Sequence, residues 1–95
     1  MSITIQHKLT ASGGNFFLRE DDDVVGELSY ATTHDHQIII EHTRVDEEYR
    51  GGDLGYELIL KAVDYARTNS YTVVPVCQFA RAVLEKKPEF KDILA

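Results

Sequence analysis

Residues 45–55 of this chain are Val45-Asp46-Glu47-Glu48-Tyr49-Arg50-Gly51-Gly52-Asp53-Leu54-Gly55. An apolar strand pattern leads into this segment and a helical pattern leaves it, so we expect a strand, a glycine-rich turn and a helix in succession. Glycine lacks a Cβ, and the backbone of such a turn can therefore approach a ligand closely. The first N–H groups of the helix lack partners inside it, and the helix dipole adds partial positive charge there. The segment is therefore typical of a site for a phosphate or pyrophosphate group.

The residues before this turn predict four strands joined by short turns. Their predicted bounds, marked by alternating apolar residues and β-branched runs, are Ile3–Leu9, Phe16–Arg19, Val24–Thr32 and Gln37–Val45. In the third strand, the even-numbered residues from Val24 to Tyr30 should share one face. The segment Thr10–Asn15 should form a turn, because it is rich in glycine and small polar residues. The run Ile38–Ile40 indicates a central strand that is buried on both faces.

The residues after the turn predict a helix, a strand and a second helix. Apolar residues at helical spacing run from Leu54 to about Thr68. β-Branched and aromatic residues predict a fifth strand at Tyr71–Val76. A second helix should cover Phe79–Lys87, since the proline that follows disfavours its continuation. Residues 89–95 should form a short helix or a tail.

This order of elements predicts one α+β domain over residues 1–95 with a mixed five-stranded sheet. The first four strands should form an antiparallel meander, because short turns join them. The helix between the fourth and fifth strands should make these two parallel, with a right-handed crossover, and both helices should pack on the sheet. Ligands of such sheets bind beyond the carboxyl ends of the parallel strands. Arg50–Gly55 and Cys77-Gln78 both lie at that end.

The composition argues against several classes of function. Asp and Glu number 16 against 10 Lys and Arg, so the net charge is −6. Nucleic acids and membrane surfaces favour basic partners, so we expect neither, whereas an acidic surface tolerates a cationic amine. The single cysteine excludes an intramolecular disulfide, and no zinc-type Cys/His spacing is present. His34 and His36 lie close in sequence but lack further ligands, so we expect no metal site.

The ends and apolar runs of the chain predict its location. No charged-then-apolar leader is present at the N-terminus, and no apolar run is long enough to span a bilayer. A free thiol is typical of a reducing compartment. We therefore expect a cytoplasmic protein, while its oligomeric state stays open.

Three stretches of this chain resemble the GNAT superfamily of acetyl-CoA-dependent N-acetyltransferases. The hallmark of that superfamily is Arg or Gln, two residues, Gly, one residue, then Gly or Ala, between a strand and a helix. Residues 50–55 match it at both ends, although Asp53 stands where glycine is usual. Very small single-domain members of this kind are similar to the chain at Glu41–Val45, Tyr49–Gly51 and Pro75–Val83. The resemblance covers roughly the whole chain.

The resemblance implies an N-acetyltransferase that uses acetyl-CoA and acts on an amine of a small molecule or an exposed protein lysine. It implies that the pyrophosphate lies on the turn and the pantetheine arm between the fourth and fifth strands, with a backbone N–H near the thioester carbonyl. The cofactor residues that it implies are Val45, Arg50, Gly51, Gly52, Asp53, Leu54, Gly55, Phe79 and Arg81. Two interpretations apply to Arg81, Lys86 and Lys87: charge-assisted contacts with the phosphates of the cofactor, or, as the stronger default, a solvated helix face with ordinary charges. Two other hypotheses are a CoA-binding module without catalysis and a structural domain that binds no cofactor.

Asp53 is the departure from the superfamily pattern, and two interpretations of it stay open. If its side chain caps the helix, it competes with a phosphate for the same backbone donors. If its side chain turns to solvent, its backbone N–H still serves the ligand. A carboxylate that pointed at the pyrophosphate would repel it.

His42 and Cys77 are the candidate catalytic residues. His42 either takes a proton from the acceptor amine, activates Cys77, or is a partly buried histidine with a structural hydrogen bond. Cys77 either attacks the thioester to form a covalent intermediate or is a small buried residue without chemistry. The two residues lie on strands predicted to be neighbours, so we expect them to face one cleft.

Overall fold

The protein folds into a five-stranded sheet covered by two helices, and the computed structural model describes residues 2–95. The strands are β1 (Ile3–Thr10), β2 (Gly13–Glu20), β3 (Asp23–Thr32), β4 (Gln37–Val45) and β5 (Thr72–Pro75), and the helices are α1 (Leu54–Thr68) and α2 (Gln78–Lys86). Single helical turns lie at Glu47–Tyr49 and Pro88–Phe90. The strands are in chain order across the sheet, antiparallel from β1 to β4, with β5 parallel to β4. The expected α+β fold with a meander and one crossover is confirmed.

The turn predicted at Thr10–Asn15 is shorter than expected, because Gly13 and Gly14 belong to β2. A Cβ added to Gly13 would lie 2.0 Å from the carbonyl oxygen of Tyr30 on the neighbouring strand. These glycines therefore permit close strand pairing and do not mark a turn.

A β-bulge near the β2–β3 turn changes which valine enters the core. Leu18 pairs with Gly26, but the next residue, Arg19, pairs with Val24, so Val25 is the extra residue. Val25 is 4% exposed and Val24 38% exposed. The prediction that Val24 shares one face with Gly26, Leu28 and Tyr30 is wrong, because a bulge interrupts the two-residue alternation of a strand.

A second bulge lies in β4, next to the point where β4 and β5 separate. Tyr30 pairs with Ile40 and Ser29 with His42, which leaves Glu41 unpaired. Ile40 is also the last residue of β4 that pairs with β5. Its carbonyl oxygen accepts hydrogen bonds of 3.0 Å from the N–H groups of both residues that follow β5. The strands diverge beyond this point.

The core lies on one face of the sheet. Ile38 and Ile40 are fully buried in the same cluster as Leu58 of α1 and Leu84 of α2, whereas Ile39 is only half-buried. The prediction that both faces of Ile38–Ile40 are buried is therefore wrong, because both helices pack against the same face. Neither helix within residues 2–95 is long and apolar enough to cross a membrane.

The end of the chain extends the sheet in place of the predicted terminal helix or tail. After the helical turn at Pro88–Phe90, Leu94 forms a parallel bridge with Val73 of β5. The N–H of Val73 donates to the carbonyl oxygen of Ile93 over 2.7 Å, and the N–H of Ala95 donates to the carbonyl oxygen of Val73 over 3.0 Å. This pairing covers the edge of β5 that faces away from β4.

Candidate functional site

A cleft of about 640 Å³ opens where β4 and β5 diverge. Its walls are the end of β4, the glycine-rich turn, the first turn of α1 and one face of α2. The residues that line it are His42, Thr43, Arg44, Val45, Tyr49, Arg50, Gly51, Gly52, Gly55, Tyr56, Phe79 and Val83. Most of the residues expected at the cofactor therefore meet at one cleft. Asp53, Leu54, Cys77 and Arg81 do not line it.

The glycine-rich turn has a backbone that leaves open space for a ligand. Gly51 has φ of +90°, a left-handed conformation that L side chains rarely adopt. A Cβ on Gly51 or Gly52 would meet no atom within 4 Å. Gly55 differs, because its Cβ would lie 3.0 Å from Phe79 Cζ. The first two glycines thus keep the turn open, while the third lets α1 lie against the Phe79 ring.

Arg50 closes the turn back onto β4. Its Nε donates a hydrogen bond of 2.8 Å to the carbonyl oxygen of Val45. The side chain remains exposed at the mouth of the cleft. This contact fits the role of fixing the turn, and the exposed guanidinium also adds positive charge beside it.

Tyr49 anchors the approach to the turn through a partner that sequence reasoning missed. Its hydroxyl donates a hydrogen bond of 2.5 Å to Oε1 of Glu20, at the end of β2. This bond, with the charge of Glu20 and nearby carboxylates, raises the pKa of Tyr49 to about 12. The sequence places Glu20 in a charged hairpin tip and 29 residues from Tyr49, so no local pattern signals the contact.

Asp53 takes the second of its two expected conformations. It is the N-cap residue of α1, but its side chain makes no capping hydrogen bond and is exposed. Its carbonyl oxygen accepts from the N–H of Glu57 over 2.9 Å, as in an ordinary first helical turn. The carboxylate therefore does not occupy the backbone donors at the start of the helix. Leu54, the next residue, packs against the hydrophobic core.

Cys77 lies at the N-terminus of α2 and spans the gap to β4. Its thiol donates a hydrogen bond of 3.5 Å to Oγ1 of Thr43. Burial alone would raise the pKa of the Cys77 thiol, but the Thr43 hydroxyl and the backbone N–H groups of Ala80 and Phe79 more than offset it and lower that pKa. Hydrogen bonds of this kind favour the thiolate, because the Thr43 hydroxyl can turn to donate once the thiol has lost its proton.

His42 lines the cleft but does not pair with Cys77. Register places His42 beside Ser29 and Thr43 beside Leu28, so the two β4 side chains leave opposite faces of the sheet. Thr43 is on the core face and contacts the thiol, whereas His42 is exposed. Within residues 2–95 no hydrogen bond joins His42 to Cys77. The hypothesis that His42 activates Cys77 is not supported by this geometry.

The two cofactor candidates on α2 differ in their surroundings. Phe79 is 42% exposed and lines the cleft. Arg81 is exposed and forms an ion pair of 3.8 Å with Glu85, one helical turn further on. Arg81 therefore belongs to a solvated face of the helix, as the alternative interpretation expected.

His34 and His36 both lie on an exposed loop. Among residues 2–95, no group of three or more His, Cys, Asp or Glu side chains is placed to hold a metal ion.

Several solved structures share this fold. A GCN5-like protein from Staphylococcus aureus, determined by NMR, is 26% identical and has a TM-score of 0.73 over 95% of this chain and 87% of its own. An IAA acetyltransferase from Bacillus cereus has a TM-score of 0.71 at 14% identity, over 90% of this chain and 74% of that chain. A GNAT family acetyltransferase from Elizabethkingia anophelis, with acetyl-CoA bound, has a TM-score of 0.70 at 14% identity, over 88% of this chain and 72% of that chain. No curated protein matches this chain.

A family comparison covers most of the sheet and the whole cleft. Residues 15–93 match the family model described as GCN5-related N-acetyl-transferase. This range includes β4, the glycine-rich turn, both helices and the loop that carries Cys77. The chain therefore belongs to the GCN5-related N-acetyltransferase family.

Proposed function

We propose that this protein binds acetyl-CoA in the cleft and transfers its acetyl group to an amine. The observation that carries the proposal is that two features of this family member meet: the gap between two strands and the glycine-rich turn. The gap between β4 and β5 leads directly to an open glycine-rich turn at the start of α1. A long ligand with an anionic centre fits that path, because the turn offers unpaired N–H groups and the gap offers an unpaired strand edge.

The residues present fit the parts of this cofactor in order. A Cβ on Gly51 or Gly52 would meet no atom within 4 Å, so this part of the turn leaves space for a pyrophosphate beside the N–H groups at the start of α1, and Arg50 holds the turn in place. The β5-facing edge of residues 41–44 has no backbone partner in β5 and can bond the amides of the pantetheine arm, whereas the carbonyl oxygen of Val45 already accepts from Arg50. A free N–H near Val45 would polarise the carbonyl of the thioester.

His42 is proposed as the general base that accepts the proton from the acceptor amine. Bound acetyl-CoA would supply an activated acyl carbon for attack by a neutral amine, with CoA leaving as its thiol. The amine must lose a proton for this step, and His42 is the exposed imidazole in the cleft wall that can accept it directly or through water.

A covalent route through Cys77 is the alternative chemistry. The lowered pKa of Cys77 would favour attack by its thiolate on the thioester. Direct transfer is the simpler route, because a positioned amine needs no relay. Incubation with acetyl-CoA alone, followed by peptide mass spectrometry, separates the two routes. We expect no stoichiometric acetyl-Cys77 and measurable transfer by Cys77→Ala.

The charge of the protein favours a cationic acceptor, either a small amine or a protein lysine. Glu41 is exposed beside His42, and the charged tip of the β2–β3 turn carries further carboxylates, of which Glu20 contacts the cleft residue Tyr49. Opposite charges attract the ammonium form before deprotonation. A cytoplasmic location is proposed with this function and is tested by cell fractionation.

Titration of the protein with CoA and acetyl-CoA by calorimetry is the direct test. Gly52→Ala is the informative variant, because its added methyl group meets no protein atom within 4 Å and would project into the ligand space. We expect weaker CoA binding at unchanged thermal stability. Unchanged affinity in Gly52→Ala would remove the turn as the phosphate site.

A CoA-binding module without catalysis is the second candidate. The observation that favours it is the half-open second face of the sheet, where the described residues place no helix that could shape an acceptor pocket. Binding of acetyl-CoA without turnover across a panel of small amines and lysine peptides would establish this candidate in place of the transferase.

A further inference from the structure

Lys87 forms a contact that joins the two helices at the outer rim of the cleft. Its Nζ donates a hydrogen bond of 3.0 Å to the hydroxyl of Tyr56 and lies 4.2 Å from the centroid of the same ring. Tyr56 lines the cleft from the first turn of α1. Lys87 directly follows the last residue of α2. A flexible surface lysine is thus held beside the cleft by a hydrogen bond and a cation–π contact.

α2 leads from the opening between the strands to this lysine. The helix starts beside the point where β4 and β5 diverge, and there the N–H of Cys77 donates a hydrogen bond to the carbonyl oxygen of Ile40. Phe79 and Val83, four residues apart on one face, line the cleft. The wall that α2 offers to a ligand is therefore apolar at its start and ends at the ammonium group of Lys87.

The charge of Lys87 is supported by its neighbours. The Tyr56 hydrogen bond is the main cause that raises the pKa of Lys87, and the carboxylates of Glu89 and Asp53 also contribute. The lysine thus remains protonated at neutral pH and offsets the negative charge that Asp53 adds beside the glycine-rich turn. Arg81, the other cation considered on α2, is instead paired with Glu85.

We propose that Lys87 and Tyr56 form a subsite for the 3′-phosphate of CoA and thereby select CoA over 3′-dephospho-CoA. This inference rests on the proposed function. With the pantetheine arm in the gap and the pyrophosphate on the turn, the adenosine end must leave toward the rim where α1 starts and α2 ends. A phosphate monoester carries a charge of about −1.5 to −2 at neutral pH. The ammonium group of Lys87 lies at this rim and suits such a phosphate, whereas Arg50 lies at the turn and is bonded to β4.

The test compares the affinities of CoA and 3′-dephospho-CoA, measured by calorimetry with Lys87→Met and with Lys86→Met as the matched control. Loss of a charge-assisted hydrogen bond corresponds to about tenfold in affinity. We expect Lys87→Met to bind CoA about tenfold more weakly and 3′-dephospho-CoA almost unchanged, with Lys86→Met close to wild type. Lys87→Arg should keep most of the preference, because it keeps the charge.

Three results would overturn the subsite. Equal affinity of the wild-type protein for both ligands would show that the 3′-phosphate is not recognised. Equal weakening of both ligands by Lys87→Met would place the lysine at the shared pyrophosphate. An unchanged preference in Lys87→Met would remove the lysine from recognition. Failure of the wild-type protein to bind either ligand would instead overturn the proposed function, and thermal unfolding of each variant verifies that it is folded.

Discussion

The two halves of β4 differ sharply although they form one strand. In the paired half, residues 37–40, a backbone ladder joins β4 to β5, and Ile38 and Ile40 are fully buried. In the open half, residues 41–45, the ladder to β5 has ended and side chains make the connections. Thr43 contacts Cys77, and the carbonyl oxygen of Val45 accepts from Arg50.

Two local features mark the end of the paired half. The N–H groups of Val76 and Cys77 both donate to the same carbonyl oxygen, that of Ile40, so the regular ladder stops there. Glu41 is the extra residue of the β-bulge and re-aims the strand beyond it. Substitutions in the paired half should therefore change stability, whereas those in the open half should change binding or turnover.

The largest effect is expected from His42→Ala in the open half. Removal of a general base lowers kcat/KM by roughly 10²–10⁴-fold. The side chain is exposed, so the thermal midpoint and the affinity for CoA should stay near wild-type values. His34→Ala is the control for loss of an imidazole, because His34 lies on an exposed loop and does not line the cleft. Full acetyl transfer by folded His42→Ala would assign the proton to another group.

Ile40→Ala should give the largest loss of stability in β4. Ile40 is fully buried at the last β4–β5 pair, and truncation of such a residue costs about 2–5 kcal/mol of unfolding free energy. Ile39→Ala is the matched control, because this residue faces the half-open side and is only half-buried. Urea denaturation measures both. An equal loss in the two variants would mean that the second face of the sheet is covered after all.

Tyr49→Phe tests whether distant side chains hold the open half in its binding shape. The variant removes the hydrogen bond to Glu20 while keeping the ring, so the turn that follows should be less well held. We expect the affinity for CoA to fall roughly threefold to tenfold. Glu20→Gln keeps an acceptor oxygen and should bind CoA more tightly than Tyr49→Phe does. Wild-type affinity in Tyr49→Phe would show that the turn needs no such anchor.

Thr43→Val tests the side-chain link that replaces the ladder. The Thr43 hydroxyl is one of the groups that lower the pKa of Cys77, so its removal should raise that pKa. Alkylation requires the thiolate, and its rate should therefore rise with pH through a higher midpoint in Thr43→Val than in the wild-type protein. Rates with iodoacetamide across a pH series measure the shift. Superimposable profiles would mean that the backbone N–H groups of α2 alone set the thiol pKa.

Asp53→Gly should have the smallest effect. The side chain of Asp53 makes no capping hydrogen bond, so its removal should cost little stability. The affinity for CoA should stay equal or improve, because a negative charge near the phosphates is lost. A marked loss of affinity, measured by the same calorimetric titration, would reveal a ligand contact of Asp53 that the exposed side chain does not suggest.

Local patterns in the sequence were sufficient to predict the architecture of this site. The apolar alternation of Gln37–Val45, the glycine-rich turn and the helical stripe that follows it predict one parallel crossover. The position of Arg50–Gly55 and Cys77 beyond the ends of the two parallel strands follows from the same order of elements. Each of these features depends on residues that are close together in the chain, within about one turn or one strand. A short stretch of sequence is therefore enough to predict it.

The partners of individual side chains were decided only by the tertiary structure. The bulges at Val25 and Glu41 each shift the alternation of their strand by one residue. The one at Glu41 lets Thr43 meet Cys77 while His42 faces away. The pairs Glu20–Tyr49 and Tyr56–Lys87 join residues 29 and 31 positions apart. Such contacts depend on register and on the relative positions of whole elements. No short stretch of sequence specifies them, because a shift of one residue moves every later side chain to the opposite face.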